Sequence, residues 1–132
     1  MGSKTFYVTT AITYANSKPH IGHAYEEIGT DVLARWRRMC GDDVRFVTGS
    51  DEHSANVEAK AAELGKSPQA YCDDMAALFE ATWRLLDIRY DRFIRTSEPL
   101  HHRAAQEMVR RAPAPGDIHP GRYEGPYCNS SE

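Results

Sequence analysis

The start of the chain places one amphipathic segment between two short apolar runs, and this order is what most constrains the fold. Thr5–Thr10 is rich in β-branched and aromatic residues, which predicts a buried strand. From Gly22 to Cys40 apolar residues recur every three or four positions, which predicts a helix. Val44–Val47 predicts a second strand. A strand, helix and strand within roughly forty residues form a βαβ unit, so the two strands should be parallel with a right-handed crossover.

The apolar positions of this first helix form one stripe along its length. They are Ala24, Ile28, Val32, Trp36 and Met39. A stripe of this kind normally faces the core. Asn56–Leu64 predicts a second, shorter helix.

A third helix follows, and its beginning is marked clearly. Ser67 predicts an N-cap and Pro68 the first helical position, and the helix should continue to Leu86. Its predicted inward-facing residues are Tyr71, Met75, Leu78, Thr82 and Leu85.

The rest of the chain predicts one more strand and one more helix. Phe93–Ile94 centres the third strand, and Ser97–Arg111 forms the last helix. Residues 117–132 are rich in Gly, Pro and Tyr, which predicts short hairpin-like pieces outside the core. The sequence therefore predicts an α/β fold with a Rossmann-like parallel sheet and crossover helices.

Composition narrows the class of protein without identifying it. The chain has 132 residues and a formal net charge of -3, so no overall positive field points to nucleic acid, although basic residues can still cluster on one face. The cysteines are three in number and far apart, which predicts a reducing, cytoplasmic setting and no disulfide framework. No apolar run approaches the length of a membrane span.

The turn before the first helix, Pro19–His23, carries the clearest chemistry. A helix N-terminus presents free N–H groups and a partial positive charge to phosphate. His20 and His23 can add hydrogen bonds to phosphate oxygens as negative charge develops, and Gly22 lets a ligand approach the backbone. An ordinary alternative is that one histidine caps the helix and the other is solvated. The position between a strand and an amphipathic helix favours phosphate binding.

A second group of polar residues, Thr48–His53, follows the second strand. In open parallel sheets ligands bind at the carboxyl ends of the strands. Asp51 could pair there with an ammonium group, and His53 could orient its carboxylate. The alternative is that Asp51 caps the next helix, as aspartate often does.

At this point the sequence resembles a known family. The segments Tyr7–Asn16, Pro19–Tyr25, Val44–His53 and Asp91–Thr96 resemble, in order, the opening of class I methionyl-tRNA synthetases. Gly116–Gly125 resembles the start of that family's inserted connective domain. The resemblance implies that residues 1–115 are the N-terminal half of a Rossmann-like nucleotide-binding catalytic domain, and that 116–132 begin the insertion and stop within it.

The resemblance also implies the reaction and its ligands. A methionine–tRNA ligase uses ATP, with Mg²⁺ as its counter-ion, to form methionyl-adenylate from L-methionine, and then transfers the methionyl group to tRNA(Met). His20 and His23 would be catalytic and would bind ATP together with Thr10 and Gly22. Methionine would be bound by Ala11, Ile12, Tyr14 and Asp51.

Departures from the family pattern leave alternatives open. A downstream Lys-Met-Ser-Lys-Ser-type loop is absent, so the chain is expected to be an N-terminal fragment without full activity. Many members bind zinc through Cys-x-x-Cys pairs, but the matching place holds only Cys128, which predicts no zinc here. The alternatives are another HxGH nucleotidyltransferase and a non-catalytic remnant of a synthetase, for which exposed apolar surface would be a physical sign.

Overall fold

The computed structural model describes residues 4–112 and 116–126. The strands are β1 (Thr5–Thr9), β2 (Thr13–Tyr14), β3 (Asp43–Asp51) and β4 (Arg92–Arg95), and the helices are α1 (Ile21–Met39), α2 (Ala55–Glu63), α3 (Pro68–Leu85) and α4 (Pro99–Arg111). Of residues 116–126, none lies in a helix or strand, so the expected hairpin pieces are not found there. Cys128 lies outside the described residues.

β3 is the central strand, and the other three strands all pair with it in parallel. β1 pairs along Asp43–Val47, β2 along Ser50–Asp51 and β4 along Val47–Ser50. The predicted parallel α/β sheet is therefore confirmed. β3 is longer than the predicted Val44–Val47, and the short strand β2 was not predicted.

β1 is half-buried, which corrects the prediction of a buried strand. Phe6 and Val8 pack against the core, whereas Tyr7 on the opposite face is exposed. The alternating exposure along β1 shows that, among the described residues, only one face of this strand is covered. Alternating exposure of this kind is typical of a strand covered on one side.

Helix α1 packs on the sheet through a different face from the one predicted. Its buried residues are Glu27, Asp31 and Ala34. Of the predicted apolar stripe, Ala24 packs against the core, whereas the other members are exposed: Ile28, Val32, Trp36 and Met39. The orientation follows from polar contacts: Asp31 Oδ1 accepts the backbone N–H of Arg89 at 3.0 Å. Buried carboxylates need such partners, and the partners lie on the sheet side.

Helix α3 begins as predicted, with Ser67 as N-cap accepting the N–H of Ala70 at 3.2 Å. Its inward face is shifted from the prediction, since Leu78 and Leu85 are exposed. The side chains of α3 that are buried are Tyr71, Cys72, Met75, Ala76, Phe79 and Trp83. Trp83 and Phe79, together with Phe46 of β3, are the largest fully buried side chains of the core.

Gly49 of β3 is required where β3 and β4 approach each other. A Cβ placed on Gly49 would lie 2.1 Å from the carbonyl oxygen of Ile94, which is part of the rigid backbone of β4. A Cβ placed on Gly29 of α1 would instead lie in open space. The two glycines therefore form a matched pair for testing the sheet.

Gly49→Ala should destabilise the chain by at least ~1–3 kcal/mol, because the added methyl group overpacks a backbone contact. Gly29→Ala should stabilise it by about 0.5–1 kcal/mol, because alanine restricts the unfolded chain and favours the helix. Urea unfolding followed by circular dichroism measures both effects. Equal midpoints for wild type and Gly49→Ala would contradict the close approach of the two strands.

Candidate active site

The two histidines of the Pro19–His23 turn cap α1 reciprocally. His20 is the N-cap, and its Nδ1 accepts the N–H of Gly22 at 3.1 Å. His23 Nδ1 in turn accepts the N–H of His20 at 3.3 Å, and the two rings stack with centroids 3.6 Å apart. One part of the ordinary alternative is thus correct, because His20 does cap the helix. His23, however, is half-buried and not fully solvated.

This capping geometry fixes which ring nitrogens remain available. A neutral imidazole has one donor and one acceptor nitrogen. Because both Nδ1 atoms accept backbone hydrogen bonds, the proton of each neutral ring is on Nε2. The turn therefore presents two Nε2–H donors beside a helix N-terminus, which is an arrangement suited to phosphate oxygens.

His23 is held in the uncharged state more firmly than an ordinary histidine. Its ring meets the buried Phe79 ring edge-on, with centroids 5.6 Å apart. Burial lowers the pKa of His23, the neighbouring His20 lowers it further, and Glu26 opposes both effects. His23 is thus a neutral hydrogen-bond donor at neutral pH.

Gly22 fits the turn for a steric reason. A Cβ at this position would lie 3.0 Å from Cε1 and 3.1 Å from Nδ1 of the His20 ring. A larger residue would push this ring away from the N–H that it caps.

The loop after β1 and the two histidines line one cavity of about 380 Å³. This volume is within the range of small-molecule sites. The structure thus brings together five of the predicted site residues at one place: Ala11, Ile12, Tyr14, His20 and His23. Thr13, Asn16, Ser17 and Glu26 complete the lining.

Thr10 and Asp51 lie next to this cavity but do not line it. The Thr10 side chain is buried, and its hydroxyl donates to Thr48 Oγ1 at 2.9 Å. Asp51 is paired with Tyr14 in the β2–β3 ladder, and its carbonyl accepts the N–H of Ala15 at 3.0 Å. Asp51 is therefore at the cavity's edge.

Asp51 does not cap α2, so the ordinary alternative for this residue is wrong. Ser54 is the N-cap of α2 and accepts the N–H of Val57 at 3.3 Å. The Asp51 carboxylate accepts a long hydrogen bond of 3.5 Å from Thr96 Oγ1. His53 Nε2 instead lies 3.3 Å from both the Thr96 carbonyl and His102 Nε2.

Glu52, between these two residues, organises the turn from within. It is buried, accepts from Ser50 Oγ at 2.6 Å and pairs with Arg95 of β4 at 2.7 Å. Arg95 also pairs with Asp73 of α3 at 2.7 Å, and both carboxylates raise its pKa. Glu52 thus joins the end of β3 to β4 and α3.

Sequence reasoning missed Glu26 as a member of the site. Its Oε1 accepts the N–H of Ala11 at 2.8 Å, which fixes the loop that leaves β1. Neither Glu26 nor its neighbour Glu27 was singled out from the sequence as a site residue. The available signal was the position of Glu26 three residues after His23, on the same face of the helix.

The described residues contain neither a metal-binding group nor a helix that could span a membrane. In residues 4–112 and 116–126 no group of three or more His, Cys, Asp or Glu is arranged to hold a metal ion. The helices of these residues lack the length and apolar character that a membrane span requires.

Comparison with known proteins assigns the family. Residues 6–132 match the family described as tRNA synthetases class I (M), and the chain belongs to this family. The curated relatives define the branch. A methionine–tRNA ligase of Thermosynechococcus vestitus is 48% identical over 130 residues, which cover 98% of this chain and 25% of the relative. One of Streptococcus pneumoniae is 47% identical over 132 residues, covering 100% of this chain and 20% of the relative.

A solved structure supports the same branch. It is a methionyl-tRNA synthetase of Mycobacterium tuberculosis in complex with methionyl-adenylate, with a TM-score of 0.80 and 47% identity. The match covers 82% of this chain and 21% of that one. The chain thus has the class I synthetase catalytic fold and spans a fifth to a quarter of the length of its relatives.

The His23 pKa gives a direct test of the turn. In an NMR titration of the ring nitrogens, the midpoint of His23 should lie below the ordinary value of about 6.5. His20→Asn should raise that midpoint only part of the way to the ordinary value. Asparagine keeps a cap and removes the second imidazole, but burial, the larger cause of the lowered pKa of His23, remains. A midpoint above the ordinary value in the wild-type chain would contradict the stacked, half-buried ring.

Proposed function

We propose that this chain forms the first part of the active site of a methionine–tRNA ligase. The observation that carries the proposal is that the loop after β1 lines one cavity together with His20 and His23, whose Nδ1 atoms are both occupied by the helix cap. In the proposed reaction the methionine carboxylate attacks the α-phosphorus of ATP and expels pyrophosphate, which gives methionyl-adenylate. The 3′-terminal ribose of tRNA(Met) then accepts the methionyl group. We assign the complete reaction to the full-length enzyme, and this chain corresponds to one part of that enzyme.

His20 and His23 are assigned to the ATP phosphates. Their donors are already positioned by the cap, so stabilising the growing negative charge requires little rearrangement. Gly22 leaves room for the nucleotide at the start of α1. Thr10 takes part through its main chain, because its hydroxyl points to Thr48. Positioning and charge stabilisation then account for most of the rate enhancement.

Methionine is assigned to the loop after β1 and to the end of β3. Ala11, Ile12 and Tyr14 offer apolar and aromatic surface, which suits a polarizable thioether. Asp51 supplies a carboxylate at the cavity's edge for the α-ammonium group. Its 3.5 Å hydrogen bond to Thr96 is long enough to leave the carboxylate free for a stronger partner.

The other ligands follow from the reaction. Mg²⁺ enters with ATP as part of the substrate, since this ion is held mainly by phosphate oxygens and water. The reducing cytoplasm remains the expected compartment. The prediction that this chain binds no zinc also remains a prediction.

The observations weigh differently on the two alternative functions. The family match argues against another HxGH nucleotidyltransferase. A non-catalytic half-site is favoured by one observation, the exposed apolar stripe of α1, and the exchange experiment below separates it from an active fragment.

Methionine-dependent exchange of labelled pyrophosphate into ATP tests the activity of the 132-residue chain. We expect exchange that requires methionine and falls by about 10²–10³-fold in His20→Ala and in His23→Ala, as when an oxyanion donor is removed. Gly29→Ala on the same helix is the matched control. A folded chain without any exchange would identify it as a non-catalytic half-site.

Asp51→Asn should weaken methionine binding by about tenfold or more, because a hydrogen bond to a charged group contributes ~1.5–3 kcal/mol. Isothermal titration with methionine measures the change. Asp43→Asn, at the other end of β3, is the control for loss of charge. Equal affinity of wild type and Asp51→Asn would refute the assignment of the ammonium group.

A further inference from the structure

Glu27 is a buried carboxyl group that the proposed reaction does not use. It lies one turn after His23 on α1 and is only 2% exposed. Its side chain reaches Thr10, directly after β1, and Thr48, within β3. These are the strands whose ends lead into the candidate active site, so Glu27 connects both to the helix that carries the histidine turn.

Three oxygen atoms form a closed ring at this place. Thr10 Oγ1 lies 2.9 Å from Thr48 Oγ1, Thr48 Oγ1 lies 2.5 Å from Glu27 Oε1, and Thr10 Oγ1 lies 3.2 Å from Glu27 Oε1. Each contact requires one proton, but the two hydroxyl groups supply only two. Thr10 cannot donate its single proton to both neighbours. The ring is complete when the carboxyl group supplies the third proton.

The second carboxyl oxygen gives independent support. Glu27 Oε2 is buried and has no hydrogen-bond partner. An ionised carboxylate would leave negative charge on this oxygen, which is far more costly than leaving a neutral carbonyl oxygen unpaired.

The charges around Glu27 also favour the neutral acid. The titratable groups that interact with it are Glu26 and Asp31 on α1 and Tyr90 before β4, and none of them is basic. Within residues 4–112 and 116–126 no ion pair to Glu27 is formed. Burial, and secondarily the neighbouring carboxylates, raise the pKa of Glu27 against the lowering effect of the two hydroxyl groups.

We propose that Glu27 is a positioning residue whose neutral carboxylic acid, shared with Thr10 and Thr48 in a ring of hydrogen bonds, holds the loop after β1 against α1. Thr10 directly precedes Ala11, whose N–H is held by Glu26. Adjacent carboxyl groups of one helix thus hold adjacent residues of the loop, one by its side chain and one by its backbone. The effect on ligand binding rests on the proposed function, whereas the protonation of Glu27 does not.

Infrared difference spectroscopy tests the protonation directly. Just above the pH range in which exposed carboxyl groups ionise, the C=O band of a carboxyl group that is still protonated stands apart. We expect this band in wild type and in Glu63→Gln, an exposed control on α2, and its loss in Glu27→Gln. Identical spectra of wild type and Glu27→Gln would overturn the proposal.

Thermal unfolding as a function of pH gives a second readout. Because the pKa of Glu27 is raised in the folded chain, its contribution to stability is largest below the unfolded pKa and falls as pH rises toward the folded pKa. The melting temperature of wild type should therefore fall relative to that of Glu27→Gln over this window. A constant difference between the two would count against a neutral acid.

The positioning role is tested by amide hydrogen exchange at Ala11 and by methionine affinity. Thr48→Val, which preserves side-chain shape but opens the ring, should speed exchange at Ala11 and weaken binding, whereas Glu27→Gln should preserve both. An unchanged rate of amide hydrogen exchange at Ala11 in Thr48→Val would overturn the positioning role. If the wild-type chain itself does not bind methionine, the proposed function fails. The infrared and amide hydrogen exchange results still decide the role of Glu27 in that case.

Discussion

The polar attachment of α1 to the sheet is the interaction on which the rest of the structure depends. Carboxyl groups at Glu27 and Asp31 face the strands and the segment before β4, and Arg38 pairs with Asp91 at 3.0 Å. Asp91 in turn accepts the N–H of Phe46 in the central strand at 2.7 Å. Hydrogen bonds are directional, so these contacts fix the rotation of α1 about its axis as apolar packing alone would not. That rotation decides where the histidine turn points.

Much of the fold could be predicted because its signals are local. Ser67 and Pro68 define the beginning of α3 through hydrogen bonding and backbone geometry within a few residues, and the structure agrees. The order of strand, helix and strand made the parallel pairing of β1 and β3 predictable, because a helical crossover joins parallel strands. The position of the histidine turn at the start of α1 was predictable for the same reason, since it is set by consecutive residues.

The remainder depends on contacts between residues distant in sequence. The apolar stripe of α1 predicted the wrong buried face, because the partners of Glu27 and Asp31 lie up to 58 residues away. The short strand β2 has no periodicity of its own and forms only through the end of β3. The role of Glu26 could not be predicted, because its partner, the N–H of Ala11, lies 15 residues earlier in a loop whose path depends on the sheet.

The different surroundings of the two tryptophans have a practical consequence. Trp36, on the outer face of α1, is 54% exposed, while Trp83 of α3 is 1% exposed. Their fluorescence therefore reports two different events. A quencher dissolved in water reaches Trp36 first, and a macromolecule that covers the outer face of α1 changes the emission of Trp36 alone. Emission from Trp83 changes only when the core opens, so one sample can distinguish association from unfolding.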